Sequence, residues 1–274
     1  MLIVGEAINT SRKVKGERVI EAAVIARDAA FIAALAKKQF DAGATYIDVN
    51  AGTLPSGEPE AIEWLTQVVQ EAVPAPISFD SPNPEALERG LNVYHTGNGQ
   101  PMVNSITAET ERYAQVLPIV RKYHAKVIAL AMDDSGIQAD PAKRLAVAQT
   151  LVEQLAGAGV PLDDIYLDPL TFPIGTGDEV AVAMLDIIER IMTAYPGVHT
   201  IAGLSNISHG MPVRKLLNQS MTILAMGKGL EAGIIDPNDR YLMGLIAAAE
   251  ALLGRDECCM AYISKSREGA FEGL

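Results

Sequence analysis

Eight times along this chain a short apolar run rich in β-branched residues is followed by a helix-length amphipathic stretch. That alternation narrows the fold more than any other feature. Parallel strands need long crossovers, usually helices, and strands covered on both faces read as continuous apolar runs. Strand runs are expected at Leu2-Ile3-Val4 and then over 45–50, 76–80, 101–105, 126–132, 164–168, 199–204 and 232–236. Helices are expected over 22–42 (with Gly43 as its stop), 58–73, 84–90, 108–123, 141–158, 178–195, 213–228 and 240–253. Eight units favour an α/β fold of one closed (β/α)8 TIM barrel over an open doubly wound sheet. No Gly-rich phosphate fingerprint follows the first run, which also disfavours a dinucleotide-binding fold. No linker or low-complexity stretch divides residues 1–274, so a single domain is expected, with a polar and partly mobile tail after Cys259.

Composition removes several functions. The net charge of −12 argues against nucleic-acid binding, which needs clustered Lys and Arg, and against docking on anionic lipid. No apolar run is long enough to cross a membrane and the N-terminal residues do not read as a secretion signal. The two cysteines, Cys258 and Cys259, are adjacent and cannot make a disulfide framework or a zinc site alone. A reduced, cytoplasmic protein without a bound metal is expected.

Barrel enzymes place their chemistry at the C-terminal ends of the strands. The residues expected there are Glu6, Asn9, Asp48, Asn50, Asp80, Asn104, Asp133, Asp134, Asp168, Ser205, Asn206 and Asp236. The set is rich in Asp and Asn and nearly empty of Lys, Arg and His. No Lys stands where a Schiff base would form, and of the four histidines only His209 closely follows a strand. Gly203-Leu204-Ser205-Asn206 is a weak phosphate signal. Carboxylates and carboxamides without cations suit a flat neutral heterocycle with several N–H donors and carbonyl acceptors, such as the edge of a pterin or purine. Asp133, Asp134 and Asp236 also suit helix capping, which βα loops commonly require. Asp80, Asn104, Asp168 and Asn206 lie against apolar runs, where a buried polar group must find a partner.

These residues sit in Gly5-Glu6-Ala7-Ile8-Asn9, Asp48-Val49-Asn50-Ala51-Gly52, Phe79-Asp80-Ser81, Val103-Asn104-Ser105, Leu167-Asp168-Pro169-Leu170 and Gly203-Leu204-Ser205-Asn206-Ile207-Ser208. Over nearly its whole length the chain resembles the pterin-binding methyltransferases that move a methyl group between tetrahydrofolate and a corrinoid protein. The resemblance implies a dihydropteroate synthase-like barrel, usually a homodimer, working in one-carbon metabolism with a cobalamin carried by a partner protein. It implies that Asp80, Asn104 and Asp168 hold the pterin ring and that Asn206 lies near N5. Glu6, Asp48, Asn50, Gly203 and Ser205 complete the expected pterin site, and Asn9, Arg12, His209 and Arg214 are expected to face the corrinoid. Some relatives have Gln where this chain has His209. Two rival readings remain: a dihydropteroate synthase-type enzyme and a non-catalytic folate-binding protein. The first usually carries Ser-Arg-Lys and Asp-Pro-Gly where this chain has Ser205-Asn206-Ile207 and Asp168-Pro169-Leu170, and both departures favour the methyltransferase.

Overall fold

The computed structural model describes residues 1–274. Its eight strands pair in chain order, and the first closes on the last, forming a parallel barrel. The strands are β1 (Leu2–Asn9), β2 (Tyr46–Asn50), β3 (Ile77–Asp80), β4 (Met102–Thr107), β5 (Lys126–Leu130), β6 (Ile165–Asp168), β7 (His199–Gly203) and β8 (Ala232–Ile235). The flanking helices are α1 (Val19–Ile25), α2 (Ala29–Asp41), α3 (Glu58–Ala72), α4 (Pro84–Val93), α5 (Thr110–Tyr123), α6 (Pro141–Gly157), α7 (Val180–Ala194), α8 (Arg214–Gly227), α9 (Arg240–Leu252) and α10 (Met260–Arg267).

Two apolar layers hold the barrel. Inside it, Val4, Tyr46, Met102, Ile128, Tyr166, Ile201 and Ala232 form one buried plug. Outside it, the alternate strand residues pack against the helices in two larger clusters. Alternation has a direct consequence for function. Two residues beyond the plug, each strand again points inward, and those positions are Glu6, Asp48, Asn104, Leu130, Asp168, Gly203 and Ile234. The apolar plug is therefore the floor under a polar well. The β1–β2 register shifts between Gly5 and Ile8, and the Ala7 N–H there donates to the fully buried Gln39 Oε1 at 2.8 Å.

The structure corrects two expectations. The stretch 22–42 is two helices rather than one. Arg27 adopts a left-handed φ of 53°, and the Asp28 carboxylate then caps α2 by accepting from the Phe31 N–H at 3.0 Å. An apolar period continues across this break, so periodicity alone does not reveal it. The tail after Cys259 is ordered: α10 follows it, Tyr262 stacks with Phe271 at 4.8 Å, and Leu274 lies over Gly244 of α9.

At the floor of the barrel, opposite the well, His199 stacks on Tyr166 at 4.7 Å. Its Nδ1 bonds Glu231 and its Nε2 bonds Asp163, the latter at 3.0 Å. The Glu231 carboxylate foremost, with Asp163 beside it, lifts the imidazole above its ordinary value of 6.5 against the cost of burial. The contribution to stability is complete below that value and fades as pH rises through the raised one. Comparing urea unfolding of the wild type with His199→Gln should give a difference that is largest near pH 6 and shrinks by pH 9. A difference that grew with pH would mean that the ring is neutral in the fold.

Helix α4 lies close against α3 and β3 because Gly90 has no side chain. A Cβ there would meet Phe79 Cε1 at 2.6 Å and Ile62 Cγ2 at 2.8 Å. Helix propensity favours Ala over Gly by about 1 kcal/mol, whereas overpacking a rigid core costs about 1–3 kcal/mol. Gly90→Ala is expected to lower stability in denaturant titration, although the same change in an exposed helix raises it.

Candidate active site

The well begins with Asp48, which is only 2% exposed. Its Oδ1 accepts from the Ser78 hydroxyl at 2.7 Å, and the Asn104 amide bonds the same carboxyl. Burial foremost, then the neighbouring Asp80 carboxyl, drive Asp48 well above the ordinary carboxylate range. One strand on, Asp80 is also raised by burial, and the Asn50 amide opposes this by donating to Asp80 Oδ2 at 2.8 Å. Asp168 closes the far side. Burial pushes it up to about 6, against the backbone N–H groups of Leu170, at 2.8 Å, and of Gly203. Glu6 is pushed up to about 7, again mainly by burial, with Arg12 pulling down and Asp236 pushing up.

The four carboxyls are thus held in a desolvated well and offset chiefly by amides and hydroxyls. The Arg112 guanidinium, which acts on Asp80 without bonding it, is spent elsewhere. It donates to the backbone carbonyls of Ser81 at 2.9 Å, Pro82 at 2.6 Å and Ser105 at 2.6 Å, tying the ends of β3 and β4 together. A carboxyl poised between protonated and ionised can donate or accept, and a carboxamide can do both. Such a lining can read the donor and acceptor edge of a flat heterocycle.

Asn206 stands on a short 3-10 turn, Leu204–Ser208, immediately after β7. Its backbone carbonyl accepts from His209 N–H at 3.1 Å, while its exposed amide side chain makes no hydrogen bond to the protein. Arg214 sets that turn by donating to Ser205 O at 2.8 Å and to Ser208 Oγ at 3.0 Å. Ser205 and Glu6 line a cavity of about 360 Å³ that also touches Asp236. A larger cavity of about 980 Å³ lies away from the mouth, between α2, α9 and the C-terminal residues.

The structure therefore brings Glu6, Asp48, Asn50, Asp80, Asn104 and Asp168 together, with Gly203, Ser205 and Asn206 at the rim. The residues expected to face a corrinoid are less uniform. His209 is exposed on the rim. Arg12 is bound to Asp236 at 2.7 Å, and Asn9 Oδ1 accepts from Ser11 N–H at 2.8 Å to form a turn. Asp236 is held below its ordinary value: burial opposes this, but Arg12 and the Asn238 amides outweigh it. Asp134 caps α5 through the Thr110 N–H at 3.0 Å. Sequence reasoning missed Ser78, Arg112 and the buried Arg144, whose guanidinium lies 4.7 Å from the Phe172 ring. No local pattern marks any of the three, because each acts through a contact distant in sequence.

The profile of the family described as "Pterin binding enzyme" matches residues 14–236. The chain belongs to this pterin-binding family. It is 35% identical over 271 residues to a methylcorrinoid:tetrahydrofolate methyltransferase of Eubacterium limosum, covering 98% of this chain and 97% of that protein. It is 28% identical over 247 residues to a methionine synthase of Mycobacterium tuberculosis, of which it spans 20%. Among solved structures, the dihydropteroate synthase of Xanthomonas albilineans in complex with 7,8-dihydropteroate superposes with a TM-score of 0.66 at 17% identity, over 93% of this chain and 94% of that one. The Yersinia pestis enzyme gives 0.65 at 14% identity, over 92% and 94%. These likenesses confirm the barrel expected of a pterin-binding family member.

A buried carboxyl with a raised pKa stabilises the fold only while protonated, so its contribution is present at acid pH and lost as pH rises through the raised value. Replacing Asp168 by Asn should therefore stabilise the unliganded protein by about 1–3 kcal/mol at pH 8 and by much less at pH 4.5. Thermal unfolding at the two pH values measures it. Equal effects at both would show that the carboxyl is already ionised without penalty.

Proposed function

We propose that this protein transfers a methyl group between N5 of a tetrahydrofolate and the cobalt of a corrinoid carried by a separate protein. The observation that carries this reading is the 35% identity to the Eubacterium limosum methyltransferase along nearly the whole of both chains. The site supports it chemically. Asp80, Asn104 and Asp168 are the groups we assign to the pterin edge, with Glu6, Asp48 and Asn50 supporting them and Gly203 and Ser205 at the rim. The connection after β7 holds no Lys or Arg, and the two cations that follow it are engaged, Arg214 with Ser205 O and Ser208 Oγ and Lys215 with Asp239, which suits a departing pyrophosphate, as in a dihydropteroate synthase reaction, poorly.

N5 is a poor leaving group unless it gains positive character, and in the other direction it is the nucleophile that attacks a cobalt-bound methyl. In both directions the protein chiefly positions two partners. The ring-edge contacts differ little between ground and transition states, so they contribute binding rather than rate. Asn206 is different. Its amide is unconstrained by any protein hydrogen bond and can turn to present N–H or C=O toward N5, the pterin atom whose bonding changes. No side chain becomes methylated. The corrinoid protein would approach the mouth near His209, in a contact polar and small enough to be exchanged.

We assign the homodimer face to α8 and α9, where Leu216, Leu224, Tyr241, Leu245 and Leu252 are exposed. The free, exposed cysteines suit a reducing cytoplasm. No helix is long and apolar enough to cross a membrane.

The test pairs binding with chemistry. Asp168→Ala should weaken folate binding by about 1.5–3 kcal/mol, the range for a hydrogen bond to a charged group. Asn206→Ala should slow single-turnover methyl transfer roughly 100-fold or more, the scale of a lost oxyanion-hole donor, while its folate affinity falls by less. Rapid-mixing spectroscopy of the cobalt centre and calorimetric folate titration give the two numbers. Equal losses in rate and affinity would make Asn206 only another ring contact.

A further inference from the structure

The mouth of the barrel is electrostatically lopsided. Eight connections lead from strand ends to the following helices. Seven of them hold no Lys or Arg and together carry eight Asp or Glu residues. The eighth, residues 10–18 after β1, carries Arg12, Lys13, Lys15 and Arg18 against the single acid Glu17. In a chain of net charge −12, every Lys and Arg of the mouth connections is gathered on one loop.

That loop is a built element. Val14 and Glu17 form an antiparallel bridge, with Val14 N–H donating to Glu17 O at 2.9 Å and Glu17 N–H to Val14 O at 3.1 Å. The two residues between them, Lys15 and Gly16, have φ of 51° and 90°. Positive φ at both central positions marks the tight hairpin turn whose twist matches that of its strands. Gly16 takes this conformation freely, whereas Lys15 adopts it against its side chain's preference. The base is anchored to the barrel by the Arg12–Asp236 ion pair at 2.7 Å. Arg18 is engaged with Glu21 at 3.1 Å. Lys13 and Lys15 are exposed and have no ion-pair partner, so the hairpin that follows β1 at the barrel mouth carries two free ammonium groups.

We propose that the β1 hairpin is a subsite for the glutamyl tail of the folate, with Lys13 and Lys15 receiving its carboxylates. This rests on the methyltransferase reading above. A tetrahydrofolate has two ends of opposite demand. The pterin edge is neutral and suits the acid well, whereas the tail carries two carboxylates on a first glutamate and one more for each γ-linked residue added. Leaving the well, that anionic tail must cross a rim whose other connections are acidic after β4, β5, β6 and β8 and uncharged by Asp, Glu, Lys or Arg after β2, β3 and β7. The hairpin offers it attraction where the other connections offer repulsion or nothing, and longer tails bring more charge to it.

The experiment compares tetrahydrofolate bearing one glutamate with the triglutamate form, by calorimetric titration of the wild type and of the Lys13→Gln/Lys15→Gln double variant. Both side chains are exposed, and an unchanged melting temperature confirms that the variant is folded. In the wild type the triglutamate should bind roughly three- to tenfold more tightly, the yield of two exposed ion pairs. The advantage should shrink between 50 and 500 mM salt and fall to near unity in the variant. Equal affinities of the two folates for the wild type would overturn the proposal and leave the methyltransferase reading intact. No binding of either folate would overturn both. A variant that keeps the triglutamate preference but raises the Michaelis constant for the corrinoid protein would make the hairpin a docking surface instead.

Discussion

The hydrogen-bonded closure of β1 on β8 is the constraint on which the rest of the molecule depends. An open sheet would leave two edges and let its strand ends fan apart, whereas closure forces eight strand ends into one ring. Inward-facing residues then stack in layers. The apolar layer from Val4 to Ala232 fills the bore and excludes water from below. The next layer holds Glu6, Asp48, Asn104 and Asp168 in a space that water reaches only from the mouth. Closure also lets Arg12 meet Asp236, a pair 224 residues apart in the chain, which anchors the β1 hairpin.

Desolvation gives this well its chemistry. Carboxylates on a surface are ordinary, but here burial is the largest influence on Glu6, Asp48, Asp80 and Asp168 alike, and all four move upward. No cation neutralises the set by direct contact. The barrel therefore holds its acids at a cost to stability that the apolar plug and the helical shell must offset. A ligand edge that donates N–H bonds would relieve part of that cost, so recognition of a pterin by such a well gains from groups the empty protein holds at a disadvantage. The opposite end of the barrel shows contrary logic: His199 is lifted by its carboxylate partners and works for stability rather than for binding.

The strand ends were legible because period-two alternation is local. An Asp or Asn at the end of an apolar run is visible without coordinates, and Asp48, Asp80, Asn104 and Asp168 all proved to face the well. The break at Arg27–Asp28 was not legible, since an apolar helical period continues across it. The ordered tail was missed because its docking partners, including Gly244 of α9, lie far back in the chain. Arg12 reads as a free cation at the mouth, but the structure gives it to Asp236. Arg112 is not singled out at all by the sequence, yet its guanidinium spans three backbone carbonyls at the ends of β3 and β4.

Sequence by itself determined the number of strand–helix units, the class of fold, and which residue types stand at the strand ends, because each follows from periodicities and turn chemistry within about twenty residues. The motifs also carried the pterin-binding resemblance, which family membership bears out. Tertiary structure alone decided how those residues are used. Their burial, and so the upward drift of their acidities, depends on neighbours contributed by other strands. The spending of Arg12, Arg112 and Arg214 on structural bonds, the freedom of the Asn206 amide, and the lack of ion-pair partners for Lys13 and Lys15 depend on distances that only barrel closure sets.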